Sequence, residues 1–382
     1  MTSLKHKKIL IFSVPFGTGH NRAAEAISKA CLRNEPRVES RVVDSFSYST
    51  PFIGRLIAGA YLEILKVSPR LYGFFYNRAE SNLTKVSFTK VLHLLMAGKL
   101  DELIQRERPD VILCTHPFPL GVISRLRAQG RLETPLVAVV TDFAIHGFWL
   151  YDNVDLFLVG AEELKLALIG QGIPADKVKV TGIPVDPVFE LDDADSKTLA
   201  ARLGLYPELP AVLVMGGGLG LGQVENTVKT MLNFSSAFQV VVIAGRNSKL
   251  ENKLRSLAEL PGVKLKVFGH VDNVHEFMEV ADLVVTKPGG LTIAEALAKG
   301  LPMILVNPIP GHEQRNLNFL TATKVAVSLD NAKDIAQLVT DVLSTSGRFA
   351  QMHATAKKFG RPTSAQEVAR VVSDMMAGGL KG

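Results

Sequence analysis

Residues Ala281 to Leu320, ADLVVTKPGGLTIAEALAKGLPMILVNPIPGHEQRNLNFL, constrain the fold more than any other stretch of the chain. Leu283 to Thr286 is a short apolar, β-branched run, the pattern of a strand buried on both faces in a parallel sheet. Lys287-Pro288-Gly289-Gly290 turns the chain. Leu291 to Lys299 reads as an alanine- and leucine-rich helix, with Gly300 where a C-terminal cap belongs. Met303 to Val306 is a second apolar strand, and a polar loop follows from Pro308 to Asn316. Strand, glycine turn, helix, strand and loop in this order make the βαβ unit of an open parallel sheet.

The same pattern recurs on both sides of a break. Lys8–Val14, Asp110–Thr115, Leu136–Val140, Leu156–Gly160 and Val178–Thr181 are apolar runs that build a first sheet, and Ala211–Met215, Gln239–Ala244 and Lys264–Phe268 begin a second. The fold class expected is α/β, with two Rossmann-like domains facing a cleft. The first covers residues 1–185 and the second 211–362. Residues 186–210, with prolines and the acidic run Asp192, Asp193 and Asp195, read as the linker, and a C-terminal helix in 363–382 is expected to pack back across it. A chain of 382 residues is long enough for two such cores. Its two cysteines, Cys31 and Cys114, lie in apolar-periodic segments and read as small core residues of a reducing compartment. Lys5, Lys7 and Lys8 before ILIFSV mimic a signal peptide, but the apolar run is short and passes directly into a glycine loop. No segment offers eighteen apolar residues, so the expectation is a cytoplasmic protein with nothing spanning a bilayer.

Polar residues gather at the ends of these strands, where open α/β sheets bind ligands. Gly289 and Gly290 open a helix whose first amides have no intrahelical partners, so a phosphate can approach there without meeting a Cβ. Glu295 stands one turn further in, placed for ribose hydroxyls, or as a plain helix-surface glutamate. The next strand ends in GHEQRN, which brings Glu313, Arg315 and Asn316 to the same edge. Upstream, Gly217 lies in a glycine-rich turn, and Arg246 follows a strand end, able to meet a diphosphate or simply face solvent. In the first half, FGTGHNRA follows strand one. Arg22 stands where a dinucleotide fingerprint needs a small residue, which argues against hydride transfer. Gly17 and Gly19 instead permit close approach of an acceptor. His20 enters the helix N-terminus, which keeps imidazole neutral and usable as a base near pH 7. By spacing alone it is equally a capping histidine. Asp142, in Thr141-Asp142-Phe143, ends another strand of that sheet, either to assist His20 or as a turn carboxylate.

Ser45 to Lys99 differs in texture. Nine aromatics are interleaved with seven cations and only two carboxylates, an excess of five charges in a chain whose formal net charge is +6. Phe52, Lys66, Arg70, Phe74, Phe75 and Arg78 suit a surface seated at an anionic lipid interface. Amphipathic core helices with lysine edges are the other reading. Nucleic acid is disfavoured, because no recognised binding pattern organises these cations.

The run KPGGLTIAEA…GLP…IL…PIPG.E..N..F, Lys287 to Phe319, resembles the donor-sugar signature of the processive diacylglycerol glucosyltransferases and monogalactosyldiacylglycerol synthases. It is similar, more distantly, to the N-acetylglucosaminyltransferase of peptidoglycan synthesis. The GTGH loop and the TDFAIHGFW stretch fit the same family. The resemblance implies a GT-B glycosyltransferase, peripheral on the cytoplasmic face of the membrane, that moves hexose from UDP-glucose or UDP-galactose to diacylglycerol with inversion. His20 is then the catalytic base and Asp142 its assistant. Gly289 and Gly290, with Arg246, hold the donor phosphates, Gly217 and Thr292 also belong to the donor site, Glu295 holds the ribose, and Glu313 and Asn316 the sugar. Backbone atoms of the turn Gly269-His270-Val271 hold uracil. No cofactor and no metal is expected, since Asp193 and Asp195 lie in the linker and not at a strand end. His312 departs from the glutamine common in the family. A UDP-sugar 2-epimerase and a non-catalytic UDP-sugar sensor at membranes are the alternatives.

Overall fold

A computed structural model describes residues 7–15, 19–49, 59, 88–191, 195–217, 224–232, 238–329 and 332–378. By contacts the chain divides into two units, the first holding residues 1–187, 310–312 and 363–382 and the second 188–309 and 313–362.

The first unit begins with β1 (Lys8–Ser13), α1 (Gly19–Asn34), β2 (Glu39–Asp44) and α2 (Ser45–Ser49). It continues through α3 (Phe88–Glu107), β3 (Val111–Cys114), α4 (Pro117–Ala128), β4 (Leu136–Val139), β5 (Leu156–Val159), α5 (Glu162–Gly170) and β6 (Val178–Val180). The six strands are parallel in the order β2-β1-β3-β4-β5-β6. Because helices cover both faces, β3, β4 and β5 are apolar at every position and wholly buried, as parallel strands require. Each large side chain so buried, such as Ile11 or Phe157, stabilises the unit by about 1.5–3 kcal/mol relative to exposure. Helix α1 lays Ala23, Ala24, Ala26, Ile27, Ala30 and Cys31 into the core, and its small residues allow a close seat.

The second unit begins with α6 (Ser196–Arg202), β7 (Ala211–Met215), α7 (Val224–Leu232), β8 (Gln239–Ile243), α8 (Ser248–Ala258) and β9 (Leu265–Phe268). After them come α9 (Val274–Val280), β10 (Leu283–Thr286), α10 (Gly290–Ala298), β11 (Met303–Leu305), α11 (His312–Ala322), β12 (Ala326–Ser328), α12 (Ile335–Ser344) and α13 (Ser346–Phe359). Its strands are also parallel, in the order β12-β11-β10-β7-β8-β9. Helix α10 closes as anticipated at Gly300, whose φ is +65°. The Gly300 N–H bonds Leu297 O at 2.9 Å and the Leu301 N–H bonds Ala296 O at 2.9 Å, the paired bonds of a glycine cap.

Three segments take a more definite form in the structure. Residues 186–210, expected as a linker, lie with the second unit from Val188 on, and α6 buries Leu199 and Ala200 there. The polar loop expected up to Asn316 ends at Gly311 (φ +109°), and α11 starts at His312, so Glu313 and Asn316 stand on a helix. Within the polar run Glu313 and Asn316 are buried while Gln314 is exposed, so the run is one amphipathic helical turn. The C-terminal helix α14 (Ser364–Met376) adds Ala365, Val368, Ala369, Val371 and Val372 to the first unit's core, beside Ile9, Ile27 and Val111. Among the described residues no helix is long and apolar enough to cross a membrane.

The return from α13 passes Gly360, which lies against α10. A methyl group there would stand 2.3 Å from Leu297 O, a backbone atom with little freedom to move. We expect Gly360→Ala to cost about 1–3 kcal/mol by overpacking, read as a lowered thermal midpoint. An unchanged midpoint would mean that α13 shifts away at no cost.

Candidate functional site

In both sheets the chain reverses its direction of travel beside the first strand. In the first unit β1 leads outward to β2, whereas β3 starts the run the other way, so the switch point lies between β1 and β3. Helices leaving these neighbours run to opposite faces and leave a crevice at the strands' carboxyl ends. His20, after β1, and Thr115, after β3, line it.

His20 Nδ1 lies 3.0 Å from Thr115 O and 2.8 Å from Thr141 Oγ1, and Thr141 Oγ1 donates to Thr115 O at 3.2 Å. A carbonyl oxygen only accepts, so Nδ1 carries the proton. The neutral ring therefore keeps its lone pair on Nε2. Burial holds His20 below its ordinary 6.5, against the opposing charge of Asp142 and the bond to Thr115. His116 meets His20 edge-on at 4.7 Å between ring centres. Its Nδ1 accepts the Phe118 N–H at 3.1 Å and caps α4, so its own proton sits on Nε2. Burial, with His20 and His146 adding to it, keeps His116 well below 6.5. Asp142 is buried, and its Oδ2 lies 4.0 Å from His146 Nε2, beyond hydrogen-bond length. Asp142 acts on His20 through its charge, while Thr141 and Thr115 orient the ring at Nδ1. The crevice thus holds a neutral imidazole with a defined basic nitrogen.

The second unit has its switch point between β7 and β10. Gly217 follows β7 with φ +72°, a left-handed conformation suited to glycine. After β10, Lys287 precedes the Pro288-Gly289-Gly290 turn, and Gly290 is the first residue of α10. Lys287 Nζ donates to Glu313 Oε1, and Glu313 Oε2 accepts the Ile309 N–H at 2.8 Å. Asn316 Nδ2 donates to Pro288 O at 3.0 Å, so one face of α11 holds the glycine turn from behind. Glu313 and Asn316 are fully buried, as is Glu295 on α10, whereas Thr292 is partly exposed. Arg246 is exposed beside Gly245 (φ +62°), next to Asn247, which caps α8. The Gly269-His270-Val271 turn follows β9. A methyl group on Gly269 would fall 2.5 Å from Glu251 Oε2, while His270 is exposed, 3.7 Å from Asp272.

Gly19 is the first residue of α1, and Gly17 lies outside the described residues. So do Phe52, Lys66, Arg70, Phe74, Phe75 and Arg78. The structure brings forward four residues that local sequence does not single out: Thr115, Thr141, His116 and Lys287. The three on the first sheet were visible as polar positions at strand ends. Lys287 was visible as a cation directly before the glycine turn, but its partner is 26 residues away.

Two parallel six-stranded sheets, each with polar residues at its switch point, define an α/β protein of the GT-B class. Solved structures share the fold. MurG of Acinetobacter baumannii matches with a TM-score of 0.63 at 15% identity, over 97% of this chain and all (100%) of that one. HepE of Anabaena in complex with UDP-glucose matches at 0.55 and 14%, over 97% and 100%. The UDP-GlcNAc 2-epimerase of Neisseria meningitidis bound to UDP-GlcNAc matches at 0.60 and 13%, over 96% and 100%. The family model for monogalactosyldiacylglycerol (MGDG) synthase matches residues 20–185, and that for the glycosyltransferase family 28 C-terminal domain matches 211–368. A processive diacylglycerol beta-glucosyltransferase of Bacillus pumilus (strain SAFR-032) is 32% identical over 364 residues, 95% of this chain and 94% of that protein. The protein of the same name from Bacillus subtilis (strain 168) is 30% identical over 365 residues, again 95% and 94%. The chain belongs to the family of the processive diacylglycerol glucosyltransferases and monogalactosyldiacylglycerol synthases.

Thr141 supplies one neutral hydrogen bond to the His20 ring, a net of about 0.5–1.5 kcal/mol. Thr141→Val should therefore slow glycosyl transfer roughly twofold to tenfold, and Thr141→Ser should restore it. The sign of the pH dependence follows from burial. An imidazole held below 6.5 is mostly unprotonated above pH 6.5, so kcat/KM should fall as pH drops through that lowered value. A wild-type acid limb centred above pH 6.5 would remove His20 as the base.

Proposed function

We propose that this protein is an inverting glycosyltransferase that moves a hexose from UDP-glucose or UDP-galactose to the hydroxyl of a diacylglycerol-type lipid at a membrane surface. The observation that carries the reading is His20, a neutral imidazole at a switch point with Nδ1–H bonded to Thr115 O and Nε2 unprotonated. The full-length similarity to processive diacylglycerol beta-glucosyltransferases supports the lipid acceptor and favours glucose.

On this reading the acceptor hydroxyl attacks the anomeric carbon from the face opposite the diphosphate. The new C–O bond forms as the bond from the anomeric carbon to the phosphate oxygen breaks, and its electron pair leaves with UDP. The hydroxyl proton passes to His20 Nε2. Asp142 stabilises the imidazolium that forms, while Thr141 and Thr115 keep the ring in place. The backbone of Gly217, Gly289 and Gly290, with Thr292 and Arg246, receives the diphosphate, so no metal is required. Glu295 takes the ribose hydroxyls, the backbone of Gly269, His270 and Val271 the uracil, and Glu313 and Asn316 the hexose. Glu313 and Asn316 also fix the glycine turn, so sugar and phosphate positions are set by one rigid framework.

Incubation with each UDP-sugar and diacylglycerol liposomes, followed by lipid analysis, tests the reaction. His20→Ala should lower transfer by about 10²–10⁴-fold and leave UDP affinity nearly unchanged, since the nucleotide residues lie in the second unit. An epimerised nucleotide sugar with no glycolipid would point to the 2-epimerase instead. More than a tenth of wild-type turnover in His20→Ala would dismiss His20 as the base.

The acceptor is a membrane lipid, and the basic, aromatic segment 45–99 supplies a means of reaching it on the cytoplasmic face. Near an anionic surface each cation contributes about 1 kcal/mol, and within a Debye length of about 8–10 Å salt weakens this attraction. Replacing Lys66, Arg70 and Arg78 together by glutamine should weaken flotation with anionic liposomes and spare UDP binding. Equal flotation of wild type with neutral and anionic vesicles would count against an electrostatic membrane surface.

A further inference from the structure

The second switch point holds a cation whose surroundings are built for it. Lys287 Nζ bonds Glu313, a carboxylate with only 2% of its side chain exposed, and keeps 22% of its own side chain exposed. Glu313 cannot follow the ammonium outward, because the Ile309 amide anchors its other oxygen at 2.8 Å. The lysine stem runs between the two loops of the crevice. A methyl group on Gly217 would stand 3.0 Å from Lys287 Cε, tighter than ordinary contact, and one on Gly289 would stand 3.5 Å from Nζ and 3.7 Å from Glu313 Oε1. The ammonium therefore touches the glycine turn at the mouth of α10, and glycine after β7 leaves it room. An ammonium carries three N–H donors, and Glu313 takes one.

We infer that Lys287 is a donor-phosphate contact: its ammonium is shared between the anchored Glu313 carboxylate and the diphosphate of the nucleotide sugar, and it stabilises the charge that develops on the leaving group. The inference rests on the nucleotide-sugar reading above and adds to it a counter-ion besides Arg246. Two charges explain the arrangement. The positive end of α10 and a bare ammonium repel each other, and Glu313 balances the lysine. When the diphosphate enters, its oxygens meet the remaining N–H donors, and the cation is already fixed in place. As the bond to the anomeric carbon breaks, the electron pair moves onto a phosphate oxygen and these charge-assisted bonds strengthen. No proton need leave Lys287.

Calorimetry on the full chain with uridine, UDP and inorganic pyrophosphate tests the inference, alongside turnover. For Lys287→Met we expect UDP and pyrophosphate affinity to fall at least tenfold, uridine affinity to stay within about twofold, and kcat to fall roughly 10²–10³-fold. Lys287→Arg, which keeps the charge, should recover part of each loss. Because Lys287→Met leaves a buried carboxylate without its cation, the double variant Lys287→Met/Glu313→Gln separates the two effects. It should bind UDP as weakly as the single variant. Recovery of UDP affinity in the double variant, or equal loss of uridine and UDP in the single one, would reduce Lys287 to a structural tie and overturn the inference. Wild-type binding of pyrophosphate without UDP, lost in Lys287→Met, would support the phosphate contact while dismissing the uridine donor. Wild type that binds neither overturns both.

Discussion

Everything functional in this molecule depends on a geometric constraint of parallel sheets. A right-handed crossover carries the chain to one face of the sheet, and where strand order reverses, neighbouring crossovers leave to opposite faces. The gap between them cannot be closed by backbone, so the strand ends there are reachable by ligands. Each unit has one such point, between β1 and β3 and between β7 and β10. His20 and Thr115 follow the two strands of the first point, and Gly217 and Lys287 those of the second.

The two crevices are tuned in opposite electrostatic senses. In the first unit burial disfavours charge on imidazole, and both His20 and His116 are held below the ordinary histidine range. The result is a base that is neutral at physiological pH. A carbonyl and a hydroxyl fix its proton on Nδ1. In the second unit a cation is retained at a helix mouth by pairing it with a buried carboxylate. That carboxylate is tied to Ile309, so removing either partner leaves an uncompensated charge. One crevice holds a neutral imidazole and the other a paired ammonium.

Rigidity unites them. The glycine turn after β10 is free of side-chain bulk, which would make it mobile by itself. Asn316 bonded to Pro288 O and Glu313 bonded to Lys287 hold it from α11, and Gly300 closes α10 with two capping bonds. Polar groups fixed before a ligand arrives need no reorganisation when charge develops, which is where such groups contribute most.

Much of this was legible in the linear sequence, because it depends on local rules. Apolar β-branched runs of four to six residues, glycine turns and alanine-rich helices specify buried parallel strands and their crossovers, and the strand-end residues His20, Asp142 and Glu313 follow from that grammar. The sequence by itself thus determined two α/β units and the edge of each sheet that carries polar residues. Only the tertiary structure decided which of those residues meet. Thr141 and His20 are 121 residues apart, and Lys287 and Glu313 are 26 apart. Both contacts depend on strand order across the sheet, and no local propensity encodes strand order. The same is true of α11, whose first turn reads as loop because Glu313 and Asn316, though polar, face inward. The packing of α14 into the first unit's core was likewise set by tertiary structure, since burial is a property of the neighbours a residue acquires.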